Sequence, residues 1–268
     1  MAVARPSAAT AAASALPVRP VVAADLTASL REGWRDFMAM RGDLIFVGLL
    51  YPVIGLVAAA ASLGGSLIPL FFPIAAGIGL LGPLAAIGFY ELARRREAGL
   101  ESDWSHFLDV RKRPAMDDIA IVSGVLLCLF VLWLIVAGVL YVALWGPGAP
   151  PSLGVFLRRL FTTREGWELI VIGNAFGALF GLAVLALSVA SLPMLVDRDV
   201  NAGAAMRTSV AAVRANFALM VRWGLIVAAL LVLGSIPAFI GLAVVLPWLG
   251  YSTWHLYTRL VDRGALPG

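Results

Sequence analysis

Residues 201–260 read NAGAAMRTSVAAVRANFALMVRWGLIVAALLVLGSIPAFIGLAVVLPWLGYSTWHLYTRL, and this stretch sets the pattern of the chain. It opens on small and apolar residues and carries Arg207 and Arg214 among Val210, Val213 and Phe217. It then runs apolar from about 217 to 235 and again from about 238 to 257. Gly234-Ser235-Ile236-Pro237 divides the two runs, and glycine and proline so close together end a helix and turn the chain. Each run approaches the ~20 residues that a helix needs to cross the hydrocarbon core of a bilayer. The stretch therefore predicts a surface helix, a membrane span, a tight turn and a second span back.

The whole chain has the same character. Its 268 residues are 61% hydrophobic and only 13% charged, with a mean hydropathy of +0.94. Soluble domains carry about twice that share of charge, so spans rather than soluble domains are the unit to count. A net charge of +4 would suit a nucleic-acid partner, but the arginines are scattered through the segments between apolar runs and form no basic module. No nucleic acid is expected. The single cysteine, Cys128, lies within an apolar run, which rules out an intrachain disulfide and any cysteine-built metal or iron–sulfur site.

Working outward, residues 1–24 begin with Ala, Pro and Ser around Arg5 and Arg19, without helical or strand period. They are expected to form a disordered cytoplasmic tail. Residues 25–261 read as an all-α, polytopic membrane bundle of six transmembrane helices, at about 44–63, 67–92, 119–145, 167–196, 217–235 and 238–257. Three amphipathic surface helices lie between or before them. In the first, about 25–41, Leu26, Leu30, Trp34 and Phe37 recur at helical spacing while Arg31, Glu32, Arg35 and Asp36 take other faces. The second covers about 100–113 and the third opens the 201–260 unit. A further short interfacial helix is expected at 153–161. Pro83, lacking an amide donor, predicts a kink in the second span.

Orientation follows from the basic residues. Seventeen arginines and lysines fall on the side of the termini and three, Arg158, Arg159 and Arg164, on the other. Such a bias places both termini in the cytoplasm and the protein in the cytoplasmic (inner) membrane. Trp34, Trp104, Trp145, Trp167, Trp223 and Trp254 fall near the predicted span ends, where amphipathic rings settle.

Few residues could carry chemistry. His106 and His255 are the two histidines, and His255 sits at the cytoplasmic end of the last span, where a cation suits a helix C-terminus. Glu91 ends the second span beside Tyr90, and pairing with Arg94 and Arg95 three and four residues on accounts for it. Asn174 is an amide inside a span, suited to a hydrogen bond across helices. Gly173, Gly177 and Gly181 repeat every four residues and would let a neighbouring backbone approach. The chain has no Walker loop, no dinucleotide-binding glycine fingerprint, no His-Glu metal helix and no nucleophile elbow. It is expected not to be an enzyme and to hold no metal or cofactor.

Three stretches carry a resemblance. Gly88-Phe-Tyr-Glu-Leu-Ala-Arg-Arg-Arg-Glu-Ala-Gly99 with Trp104 looks like a hallmark of an uncharacterised bacterial integral membrane protein family, a domain of unknown function. Leu192-Pro-Met-Leu-Val-Asp-Arg-Asp199 with Met206-Arg-Thr-Ser209 and Asn216 is similar to a second, and Leu246-Pro-Trp-Leu-Gly-Tyr-Ser-Thr-Trp-His-Leu-Tyr257 resembles a third. Some members of that family carry the label of a cytochrome c oxidase subunit. The Pro-Met-Leu-Val-Asp-Arg stretch also looks like the membrane portion of some bacterial glycerophosphodiester phosphodiesterases, whose catalytic barrel has no counterpart here. The resemblance implies a membrane bundle and brings no active residue with it. Two functions remain open. One is a non-enzymatic accessory or assembly component, with the lipid bilayer and other membrane proteins, a respiratory complex among them, as partners. The other is a transporter of small solutes or lipids.

Overall fold

The computed structural model describes residues 16–40, 53, 68–70, 73–74, 80–148, 150, 152–237 and 239–265. The expected span at 44–63, residue 53 apart, and residues 67, 71–72 and 75–79 of that at 67–92 lie outside these residues, as do residues 1–15 of the expected tail. Among the described residues the chain is helical, with one isolated antiparallel bridge between Val18 and Val261. Helix α1 covers residues 23–40. A short turn, Gly82–Ala85, leads into α2, Ile87–Glu97, and a 3-10 helix follows at Trp104–Lys112. Then come α3 (Met116–Trp145), α4 (Leu153–Thr162), α5 (Arg164–Ser188), α6 (Ser191–Asp197), α7 (Ala202–Ala215), α8 (Phe217–Ser235) and α9 (Leu242–Leu260).

Three described helices are long and apolar enough to cross a membrane: Met116–Trp145, Arg164–Asp197 and Phe217–Ser235. They coincide with three of the expected spans. The expected span at 238–257 forms α9, which is not among the three. Its second half carries Tyr251, Ser252, Thr253, Trp254, His255, Tyr257 and Arg259, and this polarity lowers its hydropathy although most of that half is buried.

The bend between α5 and α6 has a covalent cause. Pro193 has no amide to give to the carbonyl of Val189, and its ring crowds that carbonyl. The chain turns at Val189-Ala190, and α7 repairs the break: Ser209 Oγ accepts the Ala190 amide at 3.2 Å. Ser188 Oγ donates to the Val184 carbonyl at 2.7 Å, and Ser191 donates to that of Leu187. Serine back-bonds of this kind favour bending. Ser191 through Val196 are all buried, so the bend is a core element.

Helix α1 packs one face into the bundle and leaves the other exposed. Leu26, Ser29, Gly33, Phe37 and Met40 are buried, forming a stripe at three- and four-residue spacing. A Cβ added at Gly33 would stand 2.5 Å from the Ser252 backbone nitrogen, so α1 and α9 touch backbone to backbone. Likewise a Cβ at Gly250 would stand 2.7 Å from Phe89 Cβ, which brings α2 onto α9. Residues 16–22 depart from the tail reading as well. The Leu16 amide donates to Thr208 Oγ1 at 2.8 Å, and the Val21 amide to Asn216 Oδ1 at 2.8 Å. Arg19 N donates to the Leu260 carbonyl at 2.8 Å. These partners lie nearly two hundred residues or more along the chain, which is why local composition hid them.

At the opposite end of α3 sits a second, smaller core. Tyr141 and Trp145 pack with Phe156 and Leu160 of α4, the short helix expected at 153–161. Arg159 lies over the Trp145 ring at 4.5 Å, a cation–π contact. Of the six tryptophans placed at span ends, Trp34, Trp104 and Trp167 are exposed, whereas Trp223 and Trp254 are fully buried core residues. For those two, packing volume rather than the interface decides the position.

Candidate functional site

The three stretches that carry the family resemblance converge where α3 begins and α9 ends. Phe89 of α2 stacks against Tyr251 of α9 at 6.1 Å between ring centroids. Tyr257 of α9 donates from its hydroxyl to Asp197 at the end of α6, at 2.9 Å. Trp254 Nε1 donates to Glu97 of α2 at 2.8 Å. Thr208, Ser209 and Asn216, from the second stretch, are buried and hold the bend and residues 16–21 as described above.

Glu91 lies inside this hub, 2% exposed. Its carboxylate accepts from Arg94 Nη2 at 2.6 Å and Nε at 3.0 Å. A third bond comes from Arg113 Nε at 3.2 Å. Arg113 in turn donates Nη2 to the Val196 carbonyl at 2.6 Å. The pairing with Arg94 agrees with the helical spacing, but the site is not a helix surface, and Arg95 pairs elsewhere, with Asp109 at 3.6 Å. A buried carboxylate needs this density of donors, because desolvation otherwise outweighs the Coulomb gain. Glu91 therefore clamps α2, the segment before α3 and the α6 bend to one another.

His255 sits between two carboxylates of α1. Its Nε2 is 2.7 Å from Asp36 Oδ2, and its Nδ1 is 3.3 Å from Glu32 Oε2. Asp36 also accepts from Arg96 Nε of α2 at 2.7 Å. Glu32 accepts from Arg259 Nη2 at 2.8 Å, and Arg259 Nη1 donates back to the His255 carbonyl at 2.8 Å. The result is a belt of ion pairs and hydrogen bonds tying α1, α2 and α9 together. The histidine is thus held by side chains of another helix rather than by a helix terminus alone.

Below the belt, Arg263 pairs with Glu97 and lies 3.6 Å from Asp197. Burial alone would raise the Glu97 pKa. Hydrogen bonds from Arg263 and Trp254, with the charges of Arg263 and His255, outweigh it and hold the carboxyl below its ordinary 4.5.

The remaining sequence candidates fall away from the hub. Asn174 is exposed on α5 and donates Nδ2 to the Ile170 carbonyl of its own helix at 2.7 Å. The expected hydrogen bond across helices is replaced, among the described residues, by a local one, because Asn174 faces outward. Among the described residues an added Cβ at Gly173 or Gly181 meets nothing within 4 Å, and one at Gly177 meets only the Trp133 ring, at 3.4 Å. Among the described residues the seam therefore makes one ordinary contact, with α3. Sequence reasoning passed over Glu32, Asp36, Arg113, Glu97, Arg259 and glycines at close helix crossings such as Gly33 and Gly250. Glu32 and Asp36 are one turn apart and share a face, the one available signal, and it reads equally well as a solvated face.

Among the described residues no group of three or more His, Cys, Asp or Glu side chains could hold a metal ion. What the hub can do chemically is hold helices at fixed distances by charge and hydrogen bonding. Comparison with curated proteins and with solved structures gives no match. Residues 71–197 do match a family, and this segment contains the first resembling stretch and, through Leu192–Asp197, most of the α6 bend. That family is described as a predicted integral membrane protein (DUF2189), and it is the uncharacterised membrane family that the three stretches resemble.

Proposed function

We propose that the chain is a multi-pass protein of the bacterial cytoplasmic membrane that assembles with or supports other membrane proteins and is not itself an enzyme. The observation that carries this reading is the closure of the hub. Glu91 pairs with Arg94 and Arg113, Glu97 with Arg263, Arg259 with Glu32 and Asp36 with His255, so the residues with chemical potential act to fix the bundle. The family's oxidase-subunit label suggests a respiratory complex as one partner class. The topology that goes with this reading has six spans, three cytoplasmic surface elements and both termini in the cytoplasm, supported by the seventeen-to-three bias of basic residues.

Affinity capture of the tagged full chain from gently solubilised membranes tests the role. A stoichiometric membrane-protein partner is expected. Recovery of no such partner, together with solute or lipid flux in liposomes that hold the purified chain, would put the transporter reading first. Reporter fusions test the topology: a fusion after Gly148 should report the outside, and fusions after Gly99 and Gly203 the inside.

A further inference from the structure

Helix α7 presents a groove of about 940 Å³ on its outer face. Its floor is apolar, made by Met206, Val210 and Ala211 with Leu187 of α5, and its two charged residues are Arg207 and Arg214. Both arginines are exposed. They are seven residues apart, so they lie on one side of the helix about 10 Å from each other. The lining holds no carboxylate, and α7 contains none along its whole length.

The position of the groove matters as much as its charge. It lies between the end of one helix apolar enough to cross a membrane, Arg164–Asp197, and the start of another, Phe217–Ser235. Leu187 belongs to the first, and Phe217, exposed, opens the second. A ligand in the groove would thus have one end at the level of headgroups and the other beside apolar span surface. Guanidinium groups suit phosphate because their planar donors match two oxygens at once.

We propose that the α7 groove binds the headgroup of an anionic phospholipid, with Arg214 and Arg207 on the phosphate and Leu187, Met206 and Val210 against the first part of an acyl chain. The proposal requires that α5 and α8 cross the bilayer, and it holds whether the protein is an assembly component or a transporter. A soluble acidic peptide or free phosphate would use the arginines but leave the apolar floor unused.

The test uses the full chain purified in a neutral detergent, with thermal unfolding followed as ligand is added. Short-chain phosphatidylglycerol should stabilise the protein at concentrations about tenfold lower than short-chain phosphatidylcholine, since each basic residue near an anionic lipid surface adds to the preference. Arg214→Gln should cut the preference severalfold, and Arg207→Gln with Arg214→Gln should abolish it. Val210→Trp, which fills the floor and keeps both charges, should weaken phosphatidylglycerol and leave any response to inorganic phosphate unchanged. Arg31→Gln with Arg35→Gln, exposed arginines on α1, should leave the preference intact. Equal responses to the two lipids, an unaltered preference in Arg214→Gln, or stabilisation by inorganic phosphate or an acidic peptide that matches phosphatidylglycerol would each overturn the proposal. If the double variant does not fold, Arg214→Gln and Val210→Trp decide the matter alone.

Discussion

Helices α3 and α9 are both long and both packed into one bundle, yet they are built on opposite terms. The most apolar stretch of α3 is only 22% buried inside the protein, and the corresponding figure for α8 is 17%. The second half of α9 is far more polar, and most of it is buried, with Tyr251, Trp254 and Tyr257 at 0% exposure. In a membrane chain hydropathy measures affinity for lipid, not burial in protein. The polar half of α9 can be buried because its neighbours supply partners: Asp36 for His255, Glu32 for Arg259 and Glu97 for Trp254. Helix α3, long and apolar enough to cross a membrane, has few side chains that call for such partners.

The widest gap between these two regions should show in their glycines. Isoleucine at Gly33 must push against the Ser252 backbone, which has no rotamer to give, and at Gly173 it enters space open to the described residues. Gly33→Ile should cost about 3 kcal/mol or more, at or beyond the upper end of core overpacking, and Gly173→Ile less than about 0.5 kcal/mol. Melting temperatures of the detergent-solubilised variants check this. A comparable loss at Gly173 would show that the 173–177–181 face is covered, and would remove the contrast.

A smaller effect is expected at the clamp. Glu91→Gln keeps the shape but leaves Arg94 and Arg113 without their counter-charge. Breaking a buried pair costs about 3–5 kcal/mol, and both arginines are partly exposed, so about 2 kcal/mol is the expectation. A neutral result in chemical or thermal unfolding would mean that hydrogen bonds alone, without charge, hold α2 to the α6 bend.

The smallest effect is one of pH. The Glu97 pKa is lower in the folded protein than its ordinary 4.5. Between those two values the unfolded chain binds the proton first. The stabilisation is therefore complete above about pH 4.5 and fades as pH falls toward the folded pKa. Glu97→Gln should flatten the fall in melting temperature below that pH. Parallel acid profiles for the two proteins would mean that the Arg263 and Trp254 contacts are lost in solution.

Much of the bundle was legible in the sequence because lipid imposes a simple rule. Residues 119–145 and 217–235 are apolar along their length, and the structure has helices there almost to the residue. Leu26 and Phe37 showed the inner face of α1 by their spacing alone. The hub was less legible, because its meaning lies in pairs. Asn216 gives no sign of its partner until Val21 meets it, and Glu32 reads as solvated until Arg259 does. The glycine repeat carries a related limit: 173, 177 and 181 are regular within one helix and meet little among the described residues, while Gly33 and Gly250 matter through a second helix that the sequence does not align with them.

The bridge between Val18 and Val261 fixes an arithmetic of crossings. Two ends of a chain that touch must lie on the same side of any sheet of lipid that separates space, so the chain between them passes through an even number of times. Helix α3, the α5–α6 pair and α8 would leave the described residues at an odd count. Helix α9 starts beside Gly234, where α8 ends, and finishes at Leu260, whose carbonyl bonds Arg19. Were the expected spans at 44–63 and 67–92 to cross as a pair, α9 would be the limb that evens the number, its polar half sheltered by protein instead of by its own hydropathy.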